Sequence, residues 1–164
     1  MTARQAITLT VNGERHQRLV EPRLTLVDFL RQDLELTGSH VGCEMGACGA
    51  CIVLVDGEPV HACLTFAVQA EGSHVETVEG LAARDALADL KAAFRDRNAL
   101  QCGYCTPGML ATAHAILARG GVPSRDEIRD GLSGNYCRCT GYEAIVDAIA
   151  ATAKARAAAG EAAR

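Results

Sequence analysis

Eight cysteines fall in two sets of four along a chain of 164 residues, and thiolates are the residues here best suited to hold a metal. The first set is Cys43, Cys48, Cys51 and Cys63, with four, two and eleven residues between successive members. The four-then-two spacing is the plant-type pattern for a 2Fe–2S cluster, a one-electron carrier. Zinc favours two close pairs with shorter internal spacing, so this set reads as iron–sulfur. Gly42, Gly46 and Gly49 permit the repeated turns that a loop around four sulfurs needs. Bare N–H groups there can point at the sulfurs and steady their negative charge, while Ala47 and Ala50 keep bulk away. The second set is Cys102-x2-Cys105 and Cys137-x-Cys139. Each pair sits just ahead of an expected helix start, at Thr106 and Thr140, where partial positive charge favours thiolates. On spacing alone this set stays open between a structural zinc and a second 2Fe–2S cluster. The neighbouring set favours iron, because two clusters in one chain make a wire.

Disulfides are the third use for eight cysteines, and they need an oxidising compartment. The segment Met1 to Thr10 alternates apolar and polar residues and lacks a signal-peptide stretch. No twin arginines stand near it, and no window approaches the ~18 apolar residues of a membrane span. The expectation is a cytoplasmic protein with reduced thiols. Sixteen basic against twenty acidic residues, a net charge of −4, argue against nucleic acid as a partner. Hydrophobic residues make up 49%, enough for a packed core, but only three Phe and three Tyr are aromatic. Small aliphatic side chains must do the packing.

The elements that position the first set read as a small mixed sheet with one helix. Ile7, Leu9 and Val11 alternate with threonines as a half-buried strand does, and Asn12-Gly13 supplies a type I′ turn into a return strand ending near Val20. Thr25 and Asp28 form a capping-box pattern before Leu26, Phe29, Leu30 and Leu34, a helix expected to stop before Gly38. Ile52–Val55, Asp56-Gly57 and Pro59–Cys63 make a second hairpin, and Val75–Val78 a last strand. Near Gly80 the pattern changes from alternating to helical. Leu87, Leu90 and Phe94 mark one helix, and Thr106-Pro107 opens a second that closes at Gly120-Gly121. Ser124–Glu127 and Thr140–Glu143 are capping boxes of two more, the last carrying Tyr142, Ile145, Val146 and Ile149 on its buried face. The expected class is α+β, with a sheet domain over residues 1–80 and a compact four-helix bundle over 81–164. The Ala-rich tail from about Ala151 either prolongs the last helix or frays.

Other polar residues read as structural. His40, His61 and His74 lack the mutual spacing of a ligand set, and His114 shares its helix with Met109, Leu110, Ala113 and Leu117 as a packed or interface residue. Met45 shields the loop or meets a partner, and Arg138 offsets cluster charge or pairs at an interface. Asp28, Asp126, Glu127 and Glu143 are helix-start residues, so no acid–base pair stands out. The chain has no dinucleotide fingerprint, Walker loop or nucleophile elbow, so it is expected to turn over no substrate alone.

Five segments carry a resemblance: Gly42-CEMGACGAC-Ile52, Val55-DGEPVHA-Cys63-Leu64, Val78-Glu-Gly-Leu81, Leu100-QCGYCTPGM-Leu110 and Leu132-SGNYCRCTGY-Glu143. Over roughly residues 5–150 the chain resembles the small iron–sulfur subunit of bacterial molybdenum hydroxylases, the xanthine dehydrogenase and carbon monoxide dehydrogenase family. The resemblance implies a ferredoxin-like β-grasp domain followed by a four-helix domain, each holding one 2Fe–2S cluster. Cys43, Cys48, Cys51 and Cys63 would hold the cluster nearer FAD; Cys102, Cys105, Cys137 and Cys139 would hold the one nearer molybdenum. Gln101 matches the glutamine that hydrogen-bonds the pterin, and Cys139 the cysteine between cluster and pterin. Implied partners are a large subunit with the molybdopterin cofactor and a medium subunit with FAD, assembled as a dimer of heterotrimers. Electrons would pass from molybdenum through both clusters to FAD. Ile52, where many relatives have threonine, is an apolar swap at a strand start and leaves ligation untouched. The competing reading is a free 2Fe–2S ferredoxin with a helical zinc-binding docking module. The substrate is chosen on the large subunit, outside this sequence.

Overall fold

The computed structural model describes residues 3–162. Five strands form one mixed sheet: β1 (Gln5–Val11), β2 (Glu14–Val20), β3 (Ile52–Val55), β4 (Glu58–His61) and β5 (His74–Glu76), in the order β2-β1-β5-β3-β4. Strands β1 and β5 run parallel; the other neighbours are antiparallel. Both hairpins turn as the sequence requires. Asn12 and Gly13 (φ 52° and 87°) and Asp56 and Gly57 (φ 51° and 88°) all have positive φ, the mark of type I′.

Alternation along β1 puts Ile7, Leu9 and Val11 into a core with Val27, Phe29, Leu30, Val53 and Val75. Strand β3 breaks that pattern. Its Ile-Val-Leu-Val run is buried on both faces, with Val53 in this core and Ile52 and Leu54 in the helical one. It is the shared wall of the two halves.

The helix after Thr25 is shorter than its sequence predicts. It runs as α1 (Leu26–Asp28), capped by the Thr25 hydroxyl, and then a π-helical turn over Phe29–Asp33. Glu35 at φ 57° takes the chain out of it well before Gly38. The last strand also ends early, at Glu76, because Val78 begins α2 (Val78–Ala83). The Asn12 side chain fixes that change: its Oδ1 accepts from Thr77 N (2.9 Å) and its Nδ2 donates to Thr77 Oγ1 (3.0 Å).

Helices α3 (Ala88–Asp96), α4 (Thr106–Ala118), α5 (Arg125–Gly131) and α6 (Glu143–Ala162) follow. They pack Leu90, Phe94, Met109, Ile128, Val146 and Ile149 against one another. With α2 there are five helices after the sheet where four were expected. The fold is thus mixed α/β, a sheet half followed by a helical half. Ser124 forms the expected capping box with Glu127.

The Ala-rich tail prolongs α6. Arg156 grips Asp89 of α3 with two bonds (Nε–Oδ2 2.7 Å, Nη2–Oδ1 2.8 Å), and holds the Asp89 carboxyl below its ordinary pKa. A depressed carboxylate contributes stability that is full above the unfolded value near 4 and lost as pH falls through the folded one. Both partners are partly exposed, so the contribution is at most about 1 kcal/mol. Asp89→Asn is expected to lower Tm by about 2–4 °C at pH 7. The gap from the parent should narrow as pH falls below about 4 in thermal melts.

Candidate functional site

The loop before β3 has no regular structure and turns through left-handed residues at Glu44, Gly46 and Gly49 (φ 54°, 72° and 67°). Those turns aim N–H groups inward, and Cys48 N donates to Cys43 Sγ at 3.3 Å. The Met45 N–H, then that of Cys48, bring the Cys43 thiol down to about 7. Burial instead pushes Cys51, at the loop's end, up to about 12, and also raises Cys48. Strand β4 ends at His61, and Cys63 follows it into the core beside Cys51. The first set therefore meets as two pairs, Cys43 with Cys48 and Cys51 with Cys63.

The second set also meets in pairs. Cys102 and Cys139 sulfurs stand 3.6 Å apart on the surface, and Cys105 and Cys137 face each other beneath. Burial pushes Cys105 up to about 12. Burial also raises Cys137, but the Thr140 hydroxyl and the N–H groups of Thr140 and Cys139 outweigh it, and its pKa is lowered. The hydrogen bond with Cys102 raises Cys139.

All eight cysteines are free thiols. Among the described residues, no three His, Cys, Asp or Glu gather about one point as ligands of a single ion would. Zinc wants its ligands tetrahedrally around one centre, whereas a 2Fe–2S cluster takes two cysteines on each of two irons. Two pairs in each set fit the second geometry.

The sets are stitched together. Tyr136 N donates to Cys48 O (2.8 Å), so one backbone bond joins a first-set cysteine to the neighbour of Cys137. Asn135 Nδ2 donates to Gly49 O (3.4 Å) in a buried contact. His40 Nδ1 donates to Tyr104 O (2.8 Å), its ring stacks on that of Tyr104 at 4.6 Å, and Tyr104 OH donates to Val41 O (2.8 Å). A cleft of about 260 Å³ lies where Cys48, Cys102, Cys105, Cys137, Cys139 and Tyr104 meet. Gly49 has to be glycine for this fit, since a Cβ there would lie 2.3 Å from Gly134 O.

Gln101 donates its amide to Cys139 O (3.0 Å), which ties the two loops of the second set. His40 is a joint between the cysteine loops, a role its isolated position in the sequence gives no sign of. His61 and His114 keep buried Nδ1 atoms without partners, and His74 is exposed. Met45 is 72% exposed, so it faces outward from the loop. Thr140 caps no helix by a Thr-Glu box. Its hydroxyl donates to Cys137 Sγ (3.1 Å), and Glu143 pairs with Arg125 and Arg129. Thr106 is likewise not the cap of α4, where Cys105 holds that place, although Pro107 does sit in the first turn.

The chain is similar to known proteins. A 2Fe-2S iron-sulfur cluster binding domain model matches residues 9–82, and a [2Fe-2S] binding domain model matches residues 77–150. Caffeine dehydrogenase subunit gamma of Pseudomonas sp. (strain CBB1) is 52% identical over 146 residues, with 87% of each chain covered. The crystal structure of quinoline 2-oxidoreductase from Pseudomonas putida 86 contains a chain with a TM-score of 0.88 and 53% identity, covering 95% of this chain and 98% of that one. Aldehyde oxidoreductase from Desulfovibrio desulfuricans ATCC 27774 gives a TM-score of 0.88 at 43% identity, covering 94% of this chain but 17% of that one. There the same unit is part of a longer polypeptide.

Proposed function

The chain belongs to the small iron–sulfur subunits of the molybdenum hydroxylases, and from that premise we propose that it relays electrons between two partner subunits. As an oxidoreductase subunit with 2Fe–2S-binding domains, it needs ligands for iron. Cys43, Cys48, Cys51 and Cys63 hold one cluster, and Cys102, Cys105, Cys137 and Cys139 the other. When bound, the clusters supply one-electron carriers between a molybdopterin centre on a large subunit and FAD on a medium subunit. The protein's own share is burial, spacing and hydrogen bonds to sulfur. The observation that carries this reading is the pairing of sulfurs in both sets, joined through Cys48 O and Tyr136 N.

The finer assignments follow from the same reading. The boundary lies at residues 80/81, inside α2, where the two domain matches overlap. The first half is the ferredoxin-like β-grasp domain, and α3–α6 form the four-helix bundle, with α2 as its lead-in. Exposed Cys139, held by Gln101, faces the large subunit, and the Gln101 carbonyl oxygen is left to meet the pterin. Among the described residues no helix is long and apolar enough to cross a membrane, and the proposed setting is the cytoplasm. The assembly is a dimer of heterotrimers.

Affinity purification of the tagged chain from its native host tests the reading. Recovery of two larger chains carrying molybdenum and FAD is the expected result. A chain that purifies alone, with about two irons and one zinc, would establish the ferredoxin with a docking module instead.

A further inference from the structure

The loop Cys137–Tyr142 is held by a closed set of bonds around one hydroxyl. Tyr142 N donates to Thr140 Oγ1 at 3.2 Å, and Thr140 Oγ1 lies 3.1 Å from Cys137 Sγ. A threonine hydroxyl has one proton to give. Because a backbone N–H already occupies one lone pair, that proton is left for the sulfur. Tyr142 is kept at φ 69°, an uncommon conformation for tyrosine. Its own hydroxyl over-determines the position by accepting from Cys137 N (2.9 Å) and donating to Asn135 O (3.2 Å). The hydroxyl of Thr140 is thus aimed and cannot easily turn away.

Among the described residues, Thr140 is the one side-chain hydroxyl that donates to any of the eight cysteine sulfurs; the first set is served by backbone N–H groups. Cys137 is 7% exposed, so water competes little and the bond acts in a low local dielectric. Uptake of one electron by a 2Fe–2S cluster adds one negative charge, part of which falls on the ligand sulfurs. A neutral donor to such a sulfur binds the reduced form better than the oxidised form, and hydrogen bonds to the sulfurs are among the factors that set cluster potentials. The proton stays on the Thr140 oxygen throughout, so only the electron is gained.

We propose that Thr140 is a positioning residue that acts through Cys137 to raise the reduction potential of the cluster held by Cys102, Cys105, Cys137 and Cys139. The proposal rests on the ligand assignment of the proposed function. It gives the Thr140 hydroxyl a task other than helix capping, although the sequence around it reads as a capping box.

Thr140→Val keeps the shape and removes the donor; Thr140→Ser keeps the donor. Each is made in the full chain with its partners and titrated with dithionite and mediators, with each cluster followed by its own electron paramagnetic resonance signal. Thr140→Val is expected to make reduction of one cluster about tenfold less favourable, which is about 59 mV for a one-electron couple. The other cluster should stay put, and Thr140→Ser should match the parent. A Thr140→Val protein with full iron and both potentials unmoved, or with both moved equally, overturns the proposal. So does loss of iron in both Thr140→Val and Thr140→Ala, with retention in Thr140→Ser, because the hydroxyl would then build the site rather than tune it. A parent protein with only one cluster signal would instead defeat the ligand assignment itself.

Discussion

Cys51→Ala is expected to leave a protein with about half the parent's iron and a single reduced-state resonance signal in place of two. Cys51 ends the loop just before β3, is 2% exposed, and lies with Cys63 in the first core. Alanine offers no atom to iron, and the buried site admits no other ligand in its place. Cys105→Ala should do the same to the other signal, because half-buried Cys105 and buried Cys137 form the equivalent inner pair. The two variants are complementary: each keeps what the other loses. If the second set held zinc, Cys105→Ala would cost zinc and leave the iron count unchanged. Metal analysis beside the spectra therefore reads both halves of the molecule separately.

Gly108→Ala is expected to destabilise the protein even though alanine is the better helix former by about 1 kcal/mol. Gly108 lies in the first turn of α4, and a Cβ there would sit 2.1 Å from Gly49 O and 3.1 Å from Gly49 C. Those are backbone atoms and cannot rotate aside. Gly49 is itself fixed between Cys48 and the Asn135 amide, so α4 would have to back away from the cysteine loop. Overpacking of this kind costs about 1–3 kcal/mol beyond the helix gain. At about 2–4 °C per kcal/mol the expected fall in Tm is several degrees. The same substitution at Gly160, in α6 with nothing within 4 Å, should be neutral or slightly stabilising. Opposite signs at two helical glycines isolate the contact between the halves from helix propensity. The displacement should also lengthen the Tyr136–Cys48 bond and weaken any magnetic interaction between the two centres.

Much of this was legible in the sequence where the cause is local. Asn12-Gly13 and Asp56-Gly57 need positive φ at two successive residues, and few other pairs tolerate that, so both hairpins could be read directly. The cysteine spacings and the Ser124–Glu127 box are local in the same sense. What escaped depends on partners far along the chain. Asn12 ends β5 and admits α2 through bonds to Thr77, 65 residues away. His40 gains its role only from Tyr104, and Tyr136 only from Cys48. The Thr140–Glu143 pattern is that of a capping box, yet a nearby sulfur and two arginines outcompete the helix end for those side chains. The π-helical turn after α1 has the same helical periodicity as an ordinary helix over so short a stretch, so its pattern did not betray it.

The proposed relay needs two iron–sulfur centres close together in one chain. Metal content combined with electron paramagnetic resonance of the dithionite-reduced protein tests it most directly. About four irons per chain, no zinc and two distinct signals are expected. About two irons with one zinc and a single signal would contradict it, and would leave a ferredoxin with a structural helical module.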